Sequence, residues 1–212
     1  MQAENTIYVD KDGNELARVE DQLPNAVVVV DDPSQVEACG IDFLSQSTAN
    51  RRSIGSVFLT DGLSDLWNLG QASVYGRGGS VTRGYSREGG WVSEWVAPVR
   101  KNIDGDFQVS INEAYPSGDP TMNIAGGLMR TGQGLVHTHP ENEGLREHPT
   151  GSNNYSVPVR SPHSRPSGAD INQTLRQDYS GGVMNIAIDP NNYHFYRSNT
   201  LFSVDRSFLA PR

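Results

Sequence analysis

Apolar and polar residues alternate with a period of two in several short stretches, which predicts strands joined by tight turns more often than long helices. Ile7 to Val19 reads as a hairpin turning at Asp12-Gly13, a pair that supplies the positive φ such turns need. Ala26 to Val30 is a continuous apolar run of strand length. Ser34 and Glu37 have capping-box spacing and predict a helix through Cys39, ended or interrupted at Gly40. A second helix is expected from Asp61 or Ser64 through Ala72, with Leu63, Leu66, Trp67 and Leu69 crowding one side. Tyr75 to Gly90, rich in Gly and Arg but lacking a phosphate-cradling pattern, reads as a flexible loop. Trp91 to Val99 and Phe107 to Ile111 are expected as two strands around a turn at Asp104-Gly105, with Trp91 and Trp95 in the core.

Further along, Leu135 to Thr138 predicts a short buried strand, approached through Gly134. Glu141 to Pro166 has almost no apolar periodicity and many Asn, Ser, Pro and Gly, so it is expected to be a long loop of the kind that serves as a lid or binding element. Asp170 to Tyr179 predicts a short helix capped by Ser167, and Val183 to Ile188 with Tyr193 to Tyr196 a last hairpin. No internal repeat is visible.

Composition narrows the class. With 212 residues, 35% hydrophobic, 20% charged, 22 Gly and 12 Pro, the chain suits a globular protein with long loops, either one good core or a domain with an appendage. A formal net charge of -8 argues against nucleic acid as the principal partner, which would call for a basic face. Arg77, Arg83, Arg87, Arg160 and Arg165 are scattered among Gly, Ser and Pro and read as solvated loop residues. The single cysteine, Cys39, excludes an internal disulfide and a four-cysteine zinc site, and is expected to be a small buried side chain. No apolar run approaches the roughly 20 residues that cross a bilayer, so no membrane span is expected. The N-terminus does not read as a signal peptide, so export would need another route or a larger parent polypeptide.

The candidate chemistry lies in His137-Thr138-His139-Pro140 and, downstream, Ser167-Gly168-Ala169-Asp170. Residues i and i+2 of a strand share a face, so His137 and His139 can converge on one cation. Alone, such a pair is equally a surface pair, and Ser167 with Asp170 is equally a helix cap. Together they offer three ligands and a hydroxyl, the open tetrahedral arrangement of a catalytic zinc site. Zinc hydrolysis also needs a carboxylate base that is not a ligand, for which Glu88, Glu94 and Glu113 are the upstream candidates. Glu88 stands before Gly89-Gly90, where the backbone leaves room for close approach. His148 and His163 read as exposed loop residues.

In this order, Glu88-Gly89-Gly90-Trp91-Val92, His137-Thr138-His139-Pro140 and Ser167-x-x-Asp170 resemble the JAB/MPN (JAMM) metalloprotease family, and more closely the JAB-like toxin domains of bacterial Rhs-type polymorphic toxins. The resemblance covers about Ser80 to Arg197. It implies an α/β (α+β) fold with a cytidine-deaminase-like mixed sheet flanked by helices, preceded by an N-terminal extension over 1–74. The domain itself would run over 75–212, with an insertion loop at 141–166 where the family has a shorter stretch. The resemblance makes His137, His139 and Asp170 the ligands of Zn2+, Glu88 the general acid/base, and Ser167 an oxyanion donor. It further implies a peptide or isopeptide hydrolase, a secreted or delivered effector acting in the cytoplasm of a target cell, with a protein or peptide substrate and a cognate immunity protein. Two alternatives remain open: a non-catalytic MPN-like protein-binding module, and a peptidoglycan amidase using the same zinc site.

Overall fold

The computed structural model describes residues 4–72, 83–87, 90–92, 94–116, 134–139, 144–147, 166, 170–171, 184–197 and 200–209. These residues form a mixed α+β structure dominated by one large sheet. Its strands are β1 (Glu4–Val9), β2 (Glu15–Asp21), β3 (Ala26–Val30), β4 (Gly55–Leu59), β7 (Trp95–Lys101), β8 (Phe107–Val109), β9 (Tyr115–Pro116), β10 (Gly134–Thr138), β12 (Asn185–Ile188), β13 (Asn192–Tyr196) and β14 (Leu201–Asp205). They are ordered β14-β13-β12-β10-β7-β8-β4-β3-β1-β2, with β9 also on β7. Pairing is parallel at β1/β3, β4/β8 and β10/β12 and antiparallel elsewhere in this sheet. A second sheet joins β5 (Arg83–Arg87) to β6 (Gly90–Val92) and β11 (Gly144–Glu147).

Alternation along the strands divides the apolar side chains between two cores. Ile7, Val9, Val27 and Phe58 face one side, joined by Val136, Ile186, Phe195 and Phe202 from the other half of the sheet. Helix α4 (Asp61–Ala72) fills that side with Leu63 and Leu66 at helical spacing. On the opposite face Tyr8, Val28, Val30 and Val57 are covered by Val36 of α1 (Ser34–Cys39) and Leu44 of α2 (Ile41–Leu44), with α3 (Thr48–Arg52) following. Described residues on either side of position 74 therefore lie in one sheet and share the first of these cores. The sheet is curled, for its two ends touch: Asn5 Nδ2 of β1 donates to the Phe208 carbonyl of α5 (Arg206–Leu209). The β1–β2 turn also lies against Phe202 of β14.

Several elements coincide with the sequence reading. Asp12-Gly13 is a turn, stitched by Asp10, whose carboxylate accepts the N–H groups of Asp12 and Asn14. Strand β3 and helices α1 and α4 occupy the expected spans. Other expectations are corrected. Ser34 is not a side-chain cap; its N–H and hydroxyl both donate to Asp32 Oδ1. Cys39 is exposed at the C-terminal end of α1, where Val36 is the helix's buried residue. Trp91 to Val99 is not one strand: Gly90–Val92 pairs in the small sheet and Trp95–Lys101 in the large one. Trp95 packs against the core, whereas the side chain of Trp91 lies outside the described residues.

Within the expected glycine-rich loop, Arg83–Arg87 is a strand, and within the expected loop 141–166 its partner Gly144–Glu147 is another. Cross-strand pairing therefore orders two stretches that carry no apolar periodicity of their own. Arg77, Arg160, Arg165, His148 and His163 lie outside the described residues. Phe107 to Ile111 is shorter than expected, since Ile111 opens a 3-10 turn. Asp170 and Ile171 are helical, and the remainder of the expected helix to Tyr179 lies outside the described residues. No helix among the described residues is long and apolar enough to cross a membrane.

Beneath α3 lies a buried ion pair, Arg51 with Asp21 at 2.8 Å, extended by the Thr6 hydroxyl, which donates to Asp21. The Tyr8 phenol is buried beside it. Burial pushes its pKa from 10.0 up to about 12, against the charge of Arg51. The protonated phenol is thus favoured by folding, and that stability is complete below the unfolded pKa of 10.0 and lost as pH rises towards about 12. Tyr8→Phe should flatten the alkaline decline in unfolding free energy across this window by about 2–3 kcal/mol, read from urea melts at a series of pH values.

Gly13 provides a second check. Its φ is 86°, and a Cβ there would stand 1.9 Å from Cβ of Phe202; Gly40 has φ 77° but nothing within 4 Å. Gly40→Ala should cost only backbone strain, about 1–3 kcal/mol. Gly13→Ala should cost a further ~1–3 kcal/mol for overpacking, if the turn closes the curled sheet.

Candidate metal centre

Strand β10 sits between β7 and β12, with His137 paired to Val96 on one side and Ala187 on the other. A strand held on both edges has its side-chain directions fixed by the pleat, so His137 and Thr138 point to opposite faces. Thr138 turns towards α4, where its Oγ1 accepts the Trp95 N–H at 2.9 Å. Gly70 of α4 permits this approach, since a Cβ there would lie 3.0 Å from the same oxygen. Asn185 secures the start of the strand by accepting the Leu135 N–H at 2.8 Å. His139, one residue past the strand, keeps the ladder going by donating its N–H to the Ile188 carbonyl at 2.7 Å.

This scaffold brings the two imidazoles together. His137 Nε2 lies 2.9 Å from His139 Nε2, and both residues are buried. Two nitrogen lone pairs so close repel unless a proton or a cation lies between them. Asp170 approaches from its helical segment, Oδ2 3.7 Å from His137 Nε2. The ligand atoms of His137, His139 and Asp170 all lie within 4.8 Å of one another, so these residues could hold a metal ion. The ring of Tyr196 stands edge-on to His137, with centroids 6.3 Å apart.

Electrostatics favours positive charge at this point. Burial pushes the His137 pKa down, but the charge and hydrogen bond of Asp170, with the charge of buried Glu94, outweigh it and hold the imidazole above its ordinary value. A cation at the site would meet the same field. Of the three carboxylates considered as base, Glu94 acts on His137, whereas Glu113 is paired with Arg100 away from it. Glu88 and Ser167 lie outside the described residues, although buried Pro166 and helical Asp170 bracket Ser167. Thr138, Asn185 and Tyr196 went unnoticed in the sequence. Strand alternation alone could have marked Thr138 as the residue facing away from the histidines.

No protein-family model, curated protein or solved structure matches the chain with significance.

If the three residues form one centre, calorimetric titration with divalent zinc should show one ion per chain. His137→Ala, His139→Ala and Asp170→Ala should each weaken binding by at least about 100-fold. That loss exceeds the ~10–100-fold cost of disturbing a supporting partner alone. Unchanged affinity in any one variant removes that residue from the ligand set.

Proposed function

We propose that the protein is a zinc-dependent hydrolase of the JAB/MPN type that cleaves a peptide or isopeptide bond. The observation that carries this reading is the convergence of His137, His139 and Asp170 on one buried point. Two imidazole nitrogens and a carboxylate oxygen match the donor set of catalytic zinc, whose ligands lie about 2.0–2.2 Å from the metal with a position left open. Tetrahedral geometry at those lengths separates two nitrogens by roughly 3.3 Å, so the 2.9 Å pair needs to open by only a few tenths of an ångström. When bound, zinc would polarise the scissile carbonyl and make the attacking water more acidic.

The remaining chemistry belongs to the chain. His137 and His139 are fixed by the β10 ladder and need little reorganisation to bind. Glu88 takes a proton from the attacking water and returns it to the leaving amine, so that the carboxylate is regenerated in each cycle. Ser167 donates to the developing oxyanion. The motif order that resembles Rhs-associated toxin domains supports a role as a delivered effector with a protein substrate, acting in a target cell and neutralised by a cognate immunity protein.

The test is expression in bacteria of wild type, Glu88→Gln, Glu94→Gln and His137→Ala, with growth, zinc content and new protein termini measured together. Glu88→Gln should keep zinc and lose toxicity and cleavage; His137→Ala should lose all three. A loss of cleavage with Glu94→Gln and not with Glu88→Gln would move the base to Glu94. Equal growth of wild type and all variants, with no new termini, would contradict the hydrolase toxin.

A further inference from the structure

Two buried polar side chains outside the metal centre, Asp189 and His194, lead to the exposed Ser203 in a chain that the proposed hydrolysis does not use. Asp189 Oδ2 lies 2.7 Å from His194 Nε2, and His194 Nδ1 lies 2.6 Å from Ser203 Oγ. Asp189 and His194 are about 1% exposed, whereas Ser203 is exposed on β14. In the neutral tautomer that donates Nε2–H to the Asp189 carboxylate, the Nδ1 lone pair faces the Ser203 hydroxyl. The carboxylate is itself fixed, because Oδ1 accepts the N–H groups of Asn191 and Asn192 at 2.7 and 2.6 Å. Carboxylate, imidazole and hydroxyl thus stand in the order by which a base is oriented and a hydroxyl activated.

The strand register explains the arrangement and supplies a further element. His194 pairs directly with Ser203. The Arg197 N–H donates to the Thr200 carbonyl, and the Arg206 N–H to the Asn191 carbonyl. Counting inward from both, hydrogen-bonded pairs fall at 195/202 and 193/204, so 194/203 is a non-hydrogen-bonded pair, whose side chains stand closest. In such a pair the main-chain N–H of Ser203 points away from β13, to an edge that no other described strand pairs with. A donor beside the hydroxyl is thereby offered to an oxyanion, as the nucleophile's own N–H is in serine hydrolases.

We propose that Ser203, His194 and Asp189 form a second, metal-independent nucleophilic centre acting on small activated acyl esters. Ser203 Oγ attacks the carbonyl carbon while its proton passes to His194 Nδ1. The C–O bond to the leaving alcohol breaks as His194 returns that proton to it, leaving an acyl-serine. Water then attacks the acyl-serine, gives a proton to His194 and releases the acid, and the proton goes back to Ser203 Oγ. Ala187 stands between His194 and His137 in the same cross-sheet row, so the centre neighbours the metal site without sharing a side chain with it.

A fluorophosphonate probe applied to the full chain in the presence of a chelator tests this independently of the zinc reading. Phosphonylation at Ser203, located by peptide mass spectrometry, should run at least about 100-fold faster than at the exposed Ser34 and Ser53, the lower end of general-base catalysis. It should vanish in Ser203→Ala and fall by a similar factor in His194→Gln. Chelator-resistant hydrolysis of p-nitrophenyl acetate should be lost with the same variants. Labelling of Ser203 no faster than of Ser34 and Ser53 would overturn the proposal, and that comparison within the wild-type chain decides even if His194→Gln fails to fold.

Discussion

The candidate metal centre depends on β10 being paired along both edges. Antiparallel bonding to β7 and parallel bonding to β12 leave no freedom of register, so His137 must face one side and Thr138 the other. A slip of one residue would bury Thr138 where His137 stands and turn both imidazoles towards α4. The Trp95 N–H, held by the Thr138 hydroxyl, and the His139 N–H, held by Ile188, lock the same register from opposite edges of the strand. Neither bond touches the imidazoles, yet together they place two nitrogens 2.9 Å apart in a buried setting.

That register is inherited from a larger framework. Strands β1, β3 and β4, from a stretch without any catalytic motif, continue the sheet that holds β10 and share its core through Ile7, Val27 and Phe58. The curl brings β1 and its turn against β14 and α5, so that the N-terminal hairpin supports the hairpin carrying Tyr196. Burial on both faces of β3 explains its continuous apolar sequence, in which neither side is left for water. The Arg51–Asp21 pair beneath α3 couples the end of β2 to the helices on that face of the sheet.

Elements with strong local signals were legible from the residues alone. The Asp12-Gly13 turn, the apolar run at Ala26–Val30 and the Leu63/Leu66 stripe of α4 each carry their own periodicity or turn chemistry. What escaped depends on distant partners. Strands β5 and β11 are hydrophilic, and only their mutual pairing makes them strands. The break between β6 and β7 is invisible in a run of strand-forming residues from Trp91 to Val99, because it marks a change of sheet. For the site, the i, i+2 spacing of the histidines and the position of Asp170 were readable, and the three do come together. The action of Glu94 on His137 and the edge-on ring of Tyr196 were not, since they arise from strands far apart in sequence.

The central claim is that His137, His139 and Asp170 hold one zinc ion, and X-ray absorption at the zinc edge of the purified, zinc-loaded chain tests it most directly. Two imidazoles and additional oxygen ligands are expected, with metal–ligand distances of about 2.0–2.2 Å, and one imidazole fewer in His139→Ala. A spectrum of water oxygens alone, or one unchanged by His139→Ala, would contradict the account.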